Sequence, residues 1–289
     1  MDQWIKAGKI GAEVLNYAKS IAKPGIQLLE LAEKIEKKTA ELGAKPAFPV
    51  NLSLNHIAAH YTPLPNDPTV YKEEDILKID IGCHLDGHIS DTALTIGNNT
   101  ELIKASQDAL NAAIKLATPG TELRQIGKAI QEAIKSHGFS PIRNLSGHQI
   151  EKYDLHAGMI IPNFDNGDDY KLKENQIIAI EPFATTGQGK VTEGKPSTIY
   201  RLLQSRPIRD PTTKKILQHI EKEFSTLPFC KRDIIKKYPT ANFSLNILER
   251  QEIIKNYAQL IEETKGLVSQ AEHTVLVKDK PVILTKYSP

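Results

Sequence analysis

Apolar side chains recur at helical spacing in two separate parts of the chain. Residues 4–21 carry one such pattern, and a second one runs from Leu28 to a predicted capping glycine, Gly43. Residues 101–117 and 121–137 show the same arrangement. A Pro-Gly turn separates the two patterns in each pair, since neither residue continues a helix readily. The sequence therefore predicts two pairs of helices.

The two helix pairs match each other at a constant offset of 95 positions, which indicates an internal duplication. A Pro-bearing segment beginning with Asn-Leu-Ser follows each pair, at 51–53 and at 144–146, and we predict a loop at both places. The matched pairs are Leu15 and Leu110, Asn16 and Asn111, Pro24 and Pro119, Gly25 and Gly120, Ile35 and Ile130, and Gly43 and Gly138.

A strand hairpin is predicted after the first helix pair. Residues 76–84 are apolar, residues 88–96 alternate, and an Asp-Gly turn at 86–87 joins them. A two-residue turn fixes the register, so Asp80 should face a small alanine and Asp91 a glycine. The two carboxylates then lie diagonally on one face, about 5.5–8 Å apart.

The second half repeats this design with acidic residues on its strands. Residues 177–182 end with Glu181 before a proline, and residues 268–277 carry Glu272 where the first half has its second aspartate. The segment 282–286 should pair with the latter strand. Both halves therefore carry acidic residues at equivalent positions on their strands.

An inserted helical segment accounts for most of the difference between the halves. Amphipathic patterns predict helices at 211–225, 230–238 and 245–256. We predict one α/β domain over 1–289. Its first half is 1–100, its second half is 101–200 plus 257–289, and the helical insertion is 201–256.

Four carboxylates on apolar strands would repel one another and would be costly to bury without partners. Solvation on an exposed sheet face is the alternative for the two aspartates, although the first strand is almost continuously apolar. Two divalent cations would balance four negative charges. His148 precedes the Glu181 strand, in a predicted loop, and an imidazole ligand would favour manganese, iron, cobalt or zinc over magnesium and calcium.

Composition narrows the setting without indicating a function. The chain has 289 residues, 37 Lys and Arg against 35 Asp and Glu, and 40% hydrophobic residues, as expected for a soluble core-forming protein. The charge is too balanced to indicate nucleic-acid binding. Two cysteines suit a reducing compartment, and we expect neither a signal peptide nor a membrane span.

Together these motifs resemble the methionine aminopeptidases, and the resemblance covers essentially the whole chain. The long insertion and the short N-terminal part resemble the type II enzymes in their archaeal form. The motifs are Asp-Ile-Gly to Ser-Asp-Thr-Ala (80–93), Gly147-His148, Leu155-His156-Ala157-Gly158, Ile180-Glu181-Pro182-Phe183 and Ala271-Glu272-His273-Thr274.

The resemblance implies a pseudo-symmetric "pita-bread" fold and a two-metal site that hydrolyses the first peptide bond with a hydroxide held by both metals. It implies that Glu181 is also the general base. It places His60 and His156 at the substrate, and Phe48, Leu155 and Tyr257 around the methionine side chain. The implied ligands are Asp80, Asp91, His148, Glu181 and Glu272.

The implied partners are nascent polypeptides that begin with methionine, in the cytoplasm. A transient ribosome contact would suit such a task, and we predict a monomer. Two alternatives stay open: a prolidase or aminopeptidase P, which shares the fold and ligands, and a non-catalytic binding module of the same fold. The role of Cys83, three residues after Asp80, also stays open, because a bulge at Gly82 would turn it towards the metals.

Overall fold

The computed structural model describes residues 1–287, so the last two positions of the predicted second half lie outside the described residues. Within 1–287, no helix combines the length and the apolar composition that crossing a membrane requires. The helices are α1 (Asp2–Ile21), α2 (Leu28–Glu41), α3 (Thr100–Lys115), α4 (Leu123–Ser136), α5 (Pro211–Phe224), α6 (Lys231–Lys237) and α7 (Ala241–Arg250).

The strands form four sheets of three to five strands each. They are β1 (Lys45–Leu54), β2 (Ile57–Ala59), β3 (Ile76–Leu85), β4 (His88–Gly97), β5 (Ser140–Pro141), β6 (Ser146–Gln149), β7 (Ile160–Pro162), β8 (Ile177–Ile180), β9 (Phe183–Thr185), β10 (Val191–Leu202), β11 (Phe229–Cys230), β12 (Ile254–Glu262), β13 (Val268–Gln270), β14 (His273–Leu276) and β15 (Val282–Ile283).

The two predicted helix pairs are α1–α2 and α3–α4. The glycines of their turns match in conformation, with φ of 97° at Gly25 and 88° at Gly120. These left-handed values suit glycine, which has no Cβ to clash. Each pair covers one half of the sheet structure, α1 packing on β3 and β4 and α3 on β13. Two separate hydrophobic clusters lie beneath them, as the duplication predicts.

The predicted hairpin is confirmed with its register. β3 and β4 pair antiparallel without interruption, Asp80 opposite Ala93 and Gly82 opposite Asp91. Because no bulge interrupts the pair at Gly82, Cys83 points away from the two aspartates, and its sulfur lies 3.9 Å from Thr39 Oγ1 of α2. Cys83 is therefore a core residue.

Two predicted loops are wrong in part. Asn51 and its neighbours lie inside β1, which pairs with β3 but has register shifts around Pro46, Phe48 and Asn51. Prolines lack a donor N–H, and β1 tolerates them because it is the edge of its sheet. His148 lies in β6, which pairs with β7 and β8, and not in a loop ahead of them.

The two halves meet at a seam between β4 and the segment around Glu272. The backbone of Ala93 exchanges two hydrogen bonds with that of Glu272, and Thr92 Oγ1 donates to the Glu272 carbonyl at 2.9 Å. Thr274 Oγ1 accepts from the Asp91 N–H and donates to the Asp91 carbonyl, both at 2.7 Å. The predicted single strand 268–277 is consequently divided into β13 and β14, because the chain between them pairs across the seam instead.

The helical segment contains α5, α6 and α7 around its own hydrophobic cluster. The helix predicted over 245–256 is wrong in its second part. α7 ends at Arg250, Glu252 adopts a left-handed φ of 54°, and β12 begins at Ile254. A left-handed residue cannot continue a right-handed helix. The division of the domain into two halves and a helical insertion at 201–256 stays a proposal.

A buried ion pair joins this helical segment to the first half. Arg232 of α6 is 0% exposed, and its guanidinium donates to the Glu36 carboxylate of α2. It also donates to the carbonyl of Pro63 and, at 3.5 Å, to Thr62 Oγ1. Burial raises the pKa of Glu36 to about 7 although the arginine charge opposes it. Arg232 therefore fixes the loop that follows His60.

We expect Arg232→Met to lower the free energy of unfolding by about 3–5 kcal/mol, because it leaves the partly buried Glu36 carboxylate without its arginine partner. Thermal unfolding measures the loss. Lys236→Met, which removes an exposed ion pair of the same helix with Glu33, should cost at most about 1 kcal/mol. The double variant Arg232→Met with Glu36→Leu should recover part of the loss. Equal stability of wild type and Arg232→Met would contradict a stabilising role of the ion pair between Arg232 and Glu36.

Candidate metal centre

One cavity of about 240 Å³ lies where the two halves meet, and all ten predicted site residues line it. They come from strands in both halves of the chain, or from the segments next to those strands. The ten are Phe48, His60, Asp80, Asp91, His148, Leu155, His156, Glu181, Tyr257 and Glu272.

Acidic oxygens and one imidazole nitrogen converge at the floor of this cavity. His148 Nε2 lies 3.5 Å from Asp91 Oδ2 and 3.6 Å from Glu181 Oε1. One ligand atom each of Asp91, His148 and Glu272 lie within 4.8 Å of one another. The side-chain amide of Gln270 donates to Glu181 and Glu272, at 3.4 and 3.3 Å.

Burial and mutual repulsion disfavour the charged carboxylates. Burial raises the pKa of Asp80 to about 7. It also raises the pKa of Asp91 well above its ordinary value, with the Asp80 charge as the next cause. The pKa values of Glu181 and Glu272 are raised in the same way by burial and by the neighbouring carboxylates. Without a cation, the cluster therefore holds protons at pH values where exposed carboxylates are ionised.

The donor set fits divalent metal ions. Asp80 Oδ1 and Asp91 Oδ1 are buried and have no hydrogen-bond partner among residues 1–287. Buried oxygens of this kind are rarely left without a partner, and a bound ion is one explanation. Burial, with the neighbouring His156, lowers the pKa of His148 to about 3, so its ring is neutral and can donate a lone pair to a metal. Carboxylate oxygens and imidazole nitrogen suit transition metals.

His60 and His156 lie at the side of the cavity next to the acidic cluster. The His156 ring centroid is 4.4 Å from that of His148. His60 adopts a left-handed φ of 66°, and its Nδ1 lies 3.0 Å from the carbonyl of Ala258. The Tyr257 ring packs edge-on against His60 at 5.2 Å between centroids. Burial lowers the pKa of both histidines, that of His156 to about 4.

The other side of the cavity is apolar. Phe48 is buried, and its ring lies over Gly82, where an added Cβ would come within 2.3 Å of the ring. Leu155 is also buried in the same hydrophobic cluster. The other apolar lining residues of the cavity are Ala59, Leu145, Phe183, Ile199, Pro228 and Leu260. This side of the cavity suits a hydrophobic side chain.

We expect Gly82→Ala to lower kcat/KM for methionine peptides about tenfold or more, mainly through KM. The new methyl group would displace the Phe48 ring, and a contact of methylene size in such a pocket changes discrimination by about 10–200-fold. Steady-state kinetics on one tripeptide measures the change. Cys83→Ala is the matched control, because this neighbouring side chain faces the opposite side of the sheet. An unchanged KM in Gly82→Ala would contradict the role given to Phe48.

Two polar residues of the site escaped the sequence analysis. Gln270 stands two positions before Glu272, and this spacing alone could have indicated that both face the cluster. Asn51 lines the cavity with a buried Oδ1 that has no partner among residues 1–287. Strand alternation after Glu272 predicts that His273 faces away from the cluster. His273 contacts Thr285 and lines a different cavity, as this prediction requires.

Comparisons with known proteins agree with this arrangement. The profile of metallopeptidase family M24 matches residues 2–279. The chain is 49% identical to a methionine aminopeptidase of Pyrococcus abyssi, over 99% of each chain. Its fold is similar to the structure of a thermophilic Arx1, with a TM-score of 0.87, 18% identity and coverage of 100% of this chain and 91% of that one. It is also similar to a methionine aminopeptidase of Thermotoga maritima, with a TM-score of 0.72, 23% identity and coverage of 99% and 96%.

Proposed function

The chain belongs to metallopeptidase family M24, and from this premise we propose how its buried acidic cavity acts on peptides. Its activity is the metal-dependent removal of the N-terminal methionine by hydrolysis of the first peptide bond. The observation that carries this conclusion is the 49% identity with a methionine aminopeptidase over 99% of both chains. The fold agrees with that of the family, and the prolidase alternative is not favoured.

We propose that Asp80, Asp91, His148, Glu181 and Glu272 hold two divalent ions, of manganese, iron, cobalt or zinc. Four carboxylates can then be ionised together, because two divalent cations balance their charge. When bound, two such ions would polarise the carbonyl of the scissile bond and would lower the pKa of a water molecule, so that hydroxide would be available near neutral pH.

The side chains then have separate tasks. Glu181 carries the proton of the attacking water on a carboxylate oxygen and delivers it to the nitrogen of the leaving amine, which is general acid–base catalysis. The Gln270 amide, which donates to Glu181 at 3.4 Å, orients that carboxylate. Neutral imidazoles at His60 and His156 can hydrogen-bond to the substrate amide and to the developing negative oxygen.

The apolar side of the cavity binds the methionine side chain in this proposal. Phe48 and Leu155 are buried beside the cluster, and Tyr257 packs on His60. Aromatic rings favour contact with a thioether sulfur. Binding the side chain there places the first peptide bond next to the carboxylates.

Metal content measured together with turnover tests this function. After addition of manganese or cobalt to the purified protein, we expect about two ions per chain and release of methionine from Met-Ala-Ser. Preferred cleavage of Xaa-Pro peptides would instead support the prolidase alternative. A protein that binds no metal and cleaves neither peptide would support the non-catalytic alternative.

We propose nascent polypeptides as substrates, since they carry the N-terminal methionine that this activity removes. This task places the protein in the cytoplasm and is compatible with a transient ribosome contact. We retain a monomer as the proposed state, because the cavity is built from residues of one chain.

A further inference from the structure

A second cavity, of about 270 Å³, adjoins the metal centre. It shares His60, His156, Tyr257 and Leu260 with the first cavity. Its remaining lining residues are Glu193, Arg201, Lys255, Asn256 and Ala258. Nothing in the proposed chemistry at the carboxylates uses these five residues. The second cavity therefore needs its own explanation.

Two basic residues lie side by side in this second cavity. Arg201 of β10 and Lys255 of β12 are direct partners across the antiparallel pair, and both are exposed. Like charges in such a position destabilise a sheet. Within residues 1–287 neither side chain forms an ion pair with an acidic group, although other surface lysines do. Glu193 lines the same cavity but forms no ion pair with either of them within residues 1–287, so the lining keeps a net positive charge that an anionic ligand would offset.

The pair lies on the side of the histidines. Arg201 and Lys255 line the same cavity as His60 and His156. The methionine side chain has its apolar pocket in the first cavity, so the rest of the peptide must leave by another path. An extended chain advances at most about 3.3–3.6 Å per residue, and the third and fourth residues are thus the first ones expected beyond the histidines.

We propose that Arg201 and Lys255 form an anion subsite, which binds a carboxylate of the peptide downstream of the cleaved bond. The carboxylate comes either from an acidic side chain at the third or fourth position or from the C-terminus of a short peptide. This inference rests on the proposed function, since it needs a peptide bound with its first bond at the carboxylate cluster. It makes the protein selective for sequence beyond the second residue.

Peptide competition at low ionic strength tests the subsite in the metal-loaded protein. The substrates are Met-Ala-Xaa-Ala amides with Xaa as Asp, Asn or Lys, and Met-Ala-Ser as free acid and as amide. We expect kcat/KM to be about two- to fivefold higher for Asp than for Lys, as for exposed ion pairs. The ratio of kcat/KM for Met-Ala-Ser as the free acid to that for its amide measures binding of the terminal carboxylate. The preference should decrease strongly in 0.5 M salt, where charges are screened within a few ångströms.

The double variant Arg201→Gln with Lys255→Gln should bring these ratios close to one. Lys195→Gln, an exposed lysine of the same strand that does not line the cavity, should keep the wild-type ratios. Equal kcat/KM for all five peptides in the wild type, or ratios unchanged in the double variant, would overturn the subsite. If methionine is released from none of the five peptides, the proposed function itself would be contradicted.

Discussion

Asp91→Asn is expected to reduce kcat/KM more than 100-fold while the chain stays folded. Asp91 Oδ2 lies 3.5 Å from His148 Nε2, and replacing Asp91 removes a charged oxygen from the cluster that would hold the metals. Loss of a residue that only supports a metal ligand costs about 10–100-fold, so loss of the ligand itself should cost more. Metal content and peptide turnover of the purified variant measure the effect.

The same variant should be at least as stable as the wild type when both are metal-free. The amide cannot carry the charge that Asp80 and the two glutamates repel. Each kcal/mol of relieved repulsion raises Tm by about 2–4 °C for a chain of this size class. Asp169→Asn, at an exposed position, is the control and should change neither property. Wild-type metal content with wild-type turnover in Asp91→Asn would show that Asp91 is not a ligand.

The carboxylate cluster is expected to contribute less to the stability of the metal-free protein as pH rises from 5 to 8. The folded-state pKa of Asp80 is raised from 3.8 to about 7, and those of Asp91, Glu181 and Glu272 are raised as well. A raised pKa means that the folded state binds its protons more tightly than the unfolded chain does. The contribution of the protonated Asp80 carboxyl to the free energy of unfolding is therefore complete below about pH 4 and is lost as pH passes about 7.

Added metal should reverse this trend. Metal ligands must be deprotonated, so manganese should raise Tm by a larger amount at pH 8 than at pH 5. Calorimetry at four pH values, with chelator and with excess manganese, measures both slopes. In chelator, the Tm of Asp91→Asn should depend less on pH than that of the wild type. An equal pH dependence of the metal-free Tm in Asp91→Asn and in the wild type would contradict the raised pKa values.

The hairpin and the acidic cluster were predictable because local rules determine them. A two-residue turn at Asp86-Gly87 leaves one register for its strands, and that register is the observed one. The duplication then extended the assignment to Glu181 and Glu272, since equivalent strands in the two halves carry carboxylates. Alternation along a strand likewise predicted that His273 faces away.

Features that depend on distant parts of the chain were not predictable. No local pattern indicates that Arg232 reaches Glu36 on another helix, or that Thr274 holds the backbone of Asp91. β1 was predicted in part as a loop because its prolines disfavour strands in general, and only its place at a sheet edge permits them. The pairing of Arg201 with Lys255 was not predictable either, because it depends on how β10 and β12 align.

The seam between the halves has a consequence for the order of synthesis. Asp80 and Glu272 are 192 positions apart, so a ribosome has made both first-half carboxylates long before it reaches the last one. Domains fold from the N-terminus as they emerge, and contacts at large sequence separation form slowly because loop closure costs entropy. Metal loading should accordingly be a late event in maturation, and a nascent chain that has emerged only through the first half should have no peptidase activity.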